Sequence, residues 1–218
     1  MKPIQTRRAL VAGLGAALAS LTAGVRPARA QAAAGRFAPA RHDTDQWMDQ
    51  LPGTHRVFVD SASRSGGQDA VLYANNLFNT NQAAYGIAPA DLAMIVCFRH
   101  FSTPFGYNDA IWAKYGAILS QFMQLPAAAT ANPVMSGIAG MPPGIALAPV
   151  LDKGLVVAIC ANATRYIAGQ IAGQTGGTAD AVFAELTANA VAKGRFVPAG
   201  VVAATRAQEY GYSLLSCA

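Results

Sequence analysis

Three short runs of nearly unbroken apolarity constrain this chain more than any other feature. They are Val57-Phe58-Val59, Leu92 to Phe98 (Leu-Ala-Met-Ile-Val-Cys-Phe) and Leu155 to Cys160 (Leu-Val-Val-Ala-Ile-Cys). A strand with one face in water alternates apolar and polar side chains. Continuous apolarity requires cover on both faces, as in a parallel sheet. Parallel strands need long crossovers between them, and helices are what usually supply these.

The intervening segments carry helical spacing. Ala70, Val71, Ala74, Leu77 and Phe78 form one stripe, and Ile111, Trp112, Tyr115, Ile118, Leu119 and Phe122 form another. Both follow the i, i+1, i+4, i+7, i+8 pattern of a single buried helix face. Asn108 is placed to cap the second helix, with Asp109 in its first turn where a negative charge suits the free N–H groups. Thr178 caps a further helix striped by Val182, Phe183, Leu186 and Val191, with Lys193 in the last turn and Gly194 at the left-handed stop. Phe196-Val197 then reads as a fourth strand, residues 200 to 210 as a helix stopped by Gly211, and Tyr212 to Leu215 as a fifth strand. Repeated strand–helix units of this kind predict a doubly wound α/β domain, with a mainly parallel five-stranded sheet and helices on both faces.

The first thirty residues belong to a different problem. They contain no acid, carry Lys2, Arg7 and Arg8 ahead of an apolar run from Ala9 to Ala23, and end in Ala28-Arg29-Ala30 before Gln31. That is the pattern of a secretory signal. Thr6-Arg7-Arg8-Ala9-Leu10-Val11 and a weakly apolar, glycine-containing run favour the twin-arginine route. Cleavage is expected after Ala30, with the protein working in the periplasm or otherwise outside the cytoplasm. The apolar run is shorter than the roughly 20 residues that span a bilayer, so no membrane association is expected after cleavage.

Five of the sixteen Lys and Arg residues lie in this segment, and eleven basic residues then face eleven acidic ones. The basic surface that nucleic acid binding requires is therefore missing. Residues 31–53, rich in Ala, Pro and mixed charge, read as a flexible lead, and 54–218 as the α/β domain. Within it, 126–150 reads as an inserted Ala-, Gly-, Pro- and Met-rich loop. It is too long for an ordinary connection, and is a mobile flap, a subunit contact or a tolerated insertion. Three cysteines leave at least one unpaired, which excludes a disulfide framework.

Ligands of open parallel sheets sit beyond the carboxyl ends of the strands, so the candidate residues are those that follow each run. Cys160 stands where the third strand meets its helix. The positive end of a helix and the nearby Arg165 would favour the nucleophilic thiolate there, although a small residue ending a buried strand fits equally. Cys97 lies inside a strand and reads as core, and Cys217 as an exposed or loosely packed thiol. His100 opens the loop Arg99 to Asp109, where it can accept a proton from a thiol, or where the whole loop serves as a structural plug.

Ser61, Ser63, Ser65 and Gly66 form a hydroxyl- and glycine-rich turn after the first strand. Such a turn can hold the phosphate of a flavin or nucleotide, or can simply cap a helix. It matches neither the Walker pattern nor GxGxxG. Met135 and Met141 can bind soft metal, though gap-filling is their commoner use. No HxxxH, HExxH or CxxC spacing occurs, so neither a metal nor a resident cofactor is expected.

The span from His55 to Cys217 resembles the DsrE/DsrF-like family, which includes sulfur-relay proteins. The most specific parts are Gly154 to Arg165 (Gly-Leu-Val-Val-Ala-Ile-Cys-Ala-Asn-Ala-Thr-Arg) and Arg195 to Tyr212, with Val197-Pro198-Ala199-Gly200-Val201-Val202 and Glu209-Tyr210-Gly211-Tyr212. The resemblance implies a flavodoxin-like fold, a trimeric or hexameric homo-oligomer, and a persulfide carried on the cysteine that matches Cys160. A protein that donates or accepts sulfur would then be its partner. A non-catalytic binding module and a flavin or nucleotide binder are the alternative readings.

Overall fold

Leu92–Phe98 is buried at all seven positions, as its unbroken apolarity requires, and forms the central strand of the sheet. The computed structural model describes residues 38–217. The strands are β1 (His55–Ser61), β2 (Leu92–Phe98), β3 (Val156–Cys160), β4 (Gly194–Val197) and β5 (Ser213–Cys217). They lie in the order β4-β3-β2-β1-β5, and every pairing is parallel. The helices are α1 (Trp47–Gln50), α2 (Arg64–Tyr85), α3 (Asp109–Phe122), α4 (Leu147–Asp152), α5 (Ala161–Thr175), α6 (Ala179–Ala188) and α7 (Gly200–Glu209). This is a flavodoxin-like α/β fold. The expected signal at residues 1–30 lies outside the described residues.

The chain steps from β1 to β4 in one direction across the sheet and then returns past β1 to lay down β5. Successive crossovers of one hand keep α2, α3, α5 and α6 on one face, and the returning crossover puts α7 on the other. The first face holds a large core that includes Phe78, Phe98, Phe105, Trp112, Leu119, Ile167 and Leu186. The second holds a smaller one, in which Phe58, Ile95 and Cys97 meet Ala203, Ala204 and Ala207 of α7 together with Trp47 and Met48.

Capping follows local chemistry. Asn108 Oδ1 accepts from the Ile111 N–H at 3.3 Å, and Thr178 Oγ1 accepts from Ala181 at the same distance. Gly86, Gly176 and Gly211 take positive φ where α2, α5 and α7 stop.

Four features differ from the sequence expectation. The lead is part of the fold from Asp43 onward: a 3₁₀ turn and α1 bury Trp47 and Met48, and the Tyr212 hydroxyl donates to the Met48 carbonyl at 2.7 Å. The 126–150 insert is no flap. Its Val134, Ile138 and Ile145 are buried in the large core, and buried Asn132 donates to the carbonyls of Phe105 and Tyr107 at 2.8 Å each.

Helix α6 ends at Ala188, and Lys193, rather than Gly194, takes the positive φ. Gly194 already belongs to β4, and a Cβ there would stand 2.8 Å from Ala190 Cβ and from the Val191 carbonyl, so close packing is what selects glycine. The fifth strand runs on to Cys217, whose thiol is buried rather than exposed.

Candidate functional site at the carboxyl edge of the sheet

Strands β3 and β4 are neighbours, yet the helices that follow them, α5 and α7, lie on opposite faces of the sheet. A crevice must open where two such connections part, and this is the standard ligand position of doubly wound sheets. A crevice of about 310 Å³ lies there, lined by Arg99, His100, Cys160, Asn162, Gly200 and Val201 among others. That volume suits a small solute or one inserted side chain.

Cys160 ends β3 and serves as the N-cap of α5, where its Sγ accepts from the Ala163 N–H at 3.4 Å. A thiol in a position usually held by Ser, Thr, Asp or Asn gives the helix end a weak cap, and gives the sulfur a partial positive charge to face. The residue is 7 % exposed and its exposed surface belongs to the crevice. Across the gap α7 begins at Gly200 with Ala199 as N-cap, and no side chain caps it. Its first N–H groups therefore have no partner within the helix.

Beside Cys160 stands an ion pair. Arg99 donates from Nε and from a terminal nitrogen to the two Asp60 oxygens, each at 2.8 Å. Asp60 is buried near the end of β1, while Arg99 is part-exposed and reaches the crevice. The Phe98–Ile159 pairing sets Arg99 opposite Cys160 one step further along the strands. Cys97 lies on the same face, fully buried. Burial first, and then the nearby Asp60 charge, push its thiol well above the ordinary range. Cys97 is thus held protonated as part of the core.

His100 sits at positive φ at the head of a 3₁₀ segment, His100–Gly106, with its ring edge-on to Phe101 at 4.3 Å. Ser102 to Gly106 are buried beneath it. The loop is therefore a plug over most of its length and a crevice wall at its first residue. Comparisons with protein-family models, curated proteins and solved structures found no match.

The structure brings Cys160 and His100 together and leaves Arg165 apart from them. The Arg165 guanidinium donates to Asp180 at 2.9 Å and lies over the Phe183 ring at 4.0 Å, tying α5 to α6. Arg99 is the basic group at the crevice. The hydroxyl-rich turn is occupied by its own contacts. Ser61 Oγ donates to the Cys97 carbonyl at 2.8 Å, Ser63 Oγ accepts from the Gly66 N–H at 2.8 Å, and Ser65 bonds Ser63 at 3.0 Å. Gly66 and Gly67 are buried, and a Cβ on Gly67 would stand 2.7 Å from the Phe105 ring. That turn caps α2.

Asp60, Arg99, Asn162 and Gly200 are site residues that motif spacing could not reveal. One clue lay in plain view for Asp60. A lone acid at the end of an apolar strand must find a cation, and the nearest basic residues at strand ends are few.

Proposed function

We propose that this chain is an exported DsrE-like sulfur-handling protein in which Cys160 carries sulfane sulfur as a persulfide. One observation carries this reading. Cys160 Sγ caps a helix at the crevice between the β3 and β4 connections, which His100 and Arg99 also line. The two stretches that most resemble the family, Gly154 to Arg165 and Arg195 to Tyr212, form β3–α5 and β4–α7, which are the two sides of that crevice.

The transfer balances without an outside oxidant. His100 takes the proton from Cys160, and the thiolate attacks the outer sulfur of a donor persulfide. A new S–S bond forms on Cys160, the donor's S–S bond breaks, and the donor leaves as a thiolate that His100 can reprotonate. The partial charge at the start of α5, with Arg99 alongside, stabilises the anion at each stage.

Exposed Val201 lines the crevice, and exposed Val202 follows it at the start of α7. An exposed apolar side chain at the crevice suits a protein that presents its own thiol, as sulfur donor or acceptor, more than a free polar solute.

Incubation with a small persulfide donor, followed by intact-mass measurement, tests the reading. The expected result is a gain of one sulfur atom that Cys160→Ser abolishes, together with iodoacetamide labelling of Cys160 ahead of the other two thiols near neutral pH. Labelling no faster than an ordinary exposed thiol, with no sulfur gained, would reject it in favour of a passive binding module.

A further inference from the structure

The two edges of the sheet are treated differently. β4 is short, carries Arg195 and follows Lys193, and the Arg195 guanidinium lies 5.1 Å over the Trp47 ring. Charge and brevity are the usual protections of an edge against pairing with another strand. β5 has neither. Its residues Ser213 to Ser216 are all exposed, and Leu214 and Leu215 lie 39 % and 37 % open to solvent.

The exposed apolarity continues onto α2. Tyr73 is 40 % exposed, and a shallow groove of about 330 Å³ between helix and strand is lined by Tyr73, Asn76, Leu77, Thr80, Asn81 and Leu215. No charged residue occurs from Ala70 to Tyr85 or from Tyr210 to Cys217. A charge-depleted patch with aromatic and leucine side chains beside an open strand edge has the composition of an interface core rather than of ordinary surface.

We propose that β5 and the adjoining face of α2 form a two-fold interface with a second copy of this chain, β5 pairing antiparallel with its counterpart to continue the sheet. Among the described residues nothing pairs with the outer edge of β5, and its row of backbone donors and acceptors is one that another strand edge can satisfy in register. A second copy offers two such edges. Joining β5 to β4 of the next copy would set a guarded, basic edge against it and would propagate without closing, whereas joining β5 to β5 closes after two copies. The neutrality of the patch makes it compatible with itself, since like meets like across a two-fold axis without repulsion.

The register follows from symmetry. An axis normal to the sheet keeps every side chain on its own face, so residues of like parity stand opposite each other. Leu215 then meets Leu215 of the other copy, or Leu214 meets Leu214. Leu215 pairs in register with Val59 on the α2 side, so a Leu215-centred axis would also bring the two Tyr73 side chains to the seam.

Sedimentation velocity of the purified protein across a wide concentration range tests this. The wild type should behave as a dimer, or as a larger even-numbered assembly built from it. Leu215→Lys and Tyr73→Lys, both at exposed positions and each checked for native circular dichroism, should raise the dissociation constant by about thirtyfold or more, since each places like charges at the centre of the seam. Arg195→Ala on the opposite edge should leave association unchanged. A wild type that stays monomeric at high concentration would overturn the proposal. So would a trimer, or any assembly insensitive to both lysines, because a three-fold ring cannot close through a self-paired edge.

Discussion

The two faces of the sheet are built to different standards. On the face covered by α2, α3, α5 and α6, four of thirty-three buried residues are alanine and the rest are mostly large. On the face covered by α7 and α1, five of thirteen are. Small residues let a helix approach closely, and the consequence is visible at Gly200, where a Cβ would stand 2.7 Å from Arg99 Cβ and 3.1 Å from Cys97 Sγ. Deep packing on one face stabilises the fold. Close approach on the other brings the start of α7 against the ion pair and Cys160, and so makes the crevice.

The sharpest way to break this division is to remove Trp112. It is fully buried in the large core, and its indole N–H donates to the Pro104 carbonyl at 3.0 Å. Trp112→Ala should cost about 4 kcal/mol, the usual range for an aromatic truncated in a packed core. Ala203→Gly on the thin face should cost only about 1 kcal/mol, through helix propensity. Urea denaturation of both variants reads the contrast directly. Equal losses would mean that the two faces share the stability, and the division would fail.

Next in size is the ion pair of the thin face. Arg99→Ala leaves the Asp60 carboxylate buried without a partner, and should cost about 3 kcal/mol, toward the lower end for a broken buried pair because Arg99 is part-exposed. Asp60→Asn added to Arg99→Ala removes the orphaned charge and should recover most of that loss in the same urea measurement. A double variant no more stable than Arg99→Ala would show that packing of the arginine stem, rather than charge, holds the crevice wall.

How much of this was legible beforehand divides along the same line. The thick face announces itself in sequence, because the stripes through Ala70–Phe78 and Ile111–Phe122 and the apolar run Leu92–Phe98 encode burial by period alone. The thin face is quieter. Alanines carry little periodic signal, so nothing in the spacing says that α7 crosses to the face opposite α5 and α6, and only strand order reveals the crevice between β3 and β4.

Cys160 and His100 were readable as residues at strand ends. Spacing points to Arg165 beside Cys160, whereas Arg99 is the arginine at the crevice, because the placement depends on Asp60 and Asp180, each remote in sequence from the arginine it pairs with. The 126–150 segment misled because Ala, Gly and Pro suggest looseness. Its anchoring side chains, Asn132, Val134, Ile138 and Ile145, are few and irregularly spaced.

The smallest expected effect contrasts one thiol from each face at alkaline pH. Burial pushes the Cys217 thiol, on the thick face at the β5 edge, from an ordinary 9.0 to about 11. Cys97 on the thin face is pushed up by burial and then by the Asp60 charge. A thiol whose pKa is higher in the folded state holds its proton more tightly there than in the unfolded chain. Its contribution is therefore complete below the unfolded value and is lost as pH rises through the folded one. For Cys217 that window runs from about 9 to about 11. Cys217→Ala should leave the slope of the urea midpoint shallower across this window, with little change in slope near neutrality. Cys97→Ala should flatten the curve over the same window and on beyond its upper end, because that thiol has no exposed surface and a carboxylate neighbour. If the effect of Cys97→Ala instead ends by about pH 11, as that of Cys217→Ala should, then water reaches the thin face beneath α7 more freely than close packing around Gly200 allows.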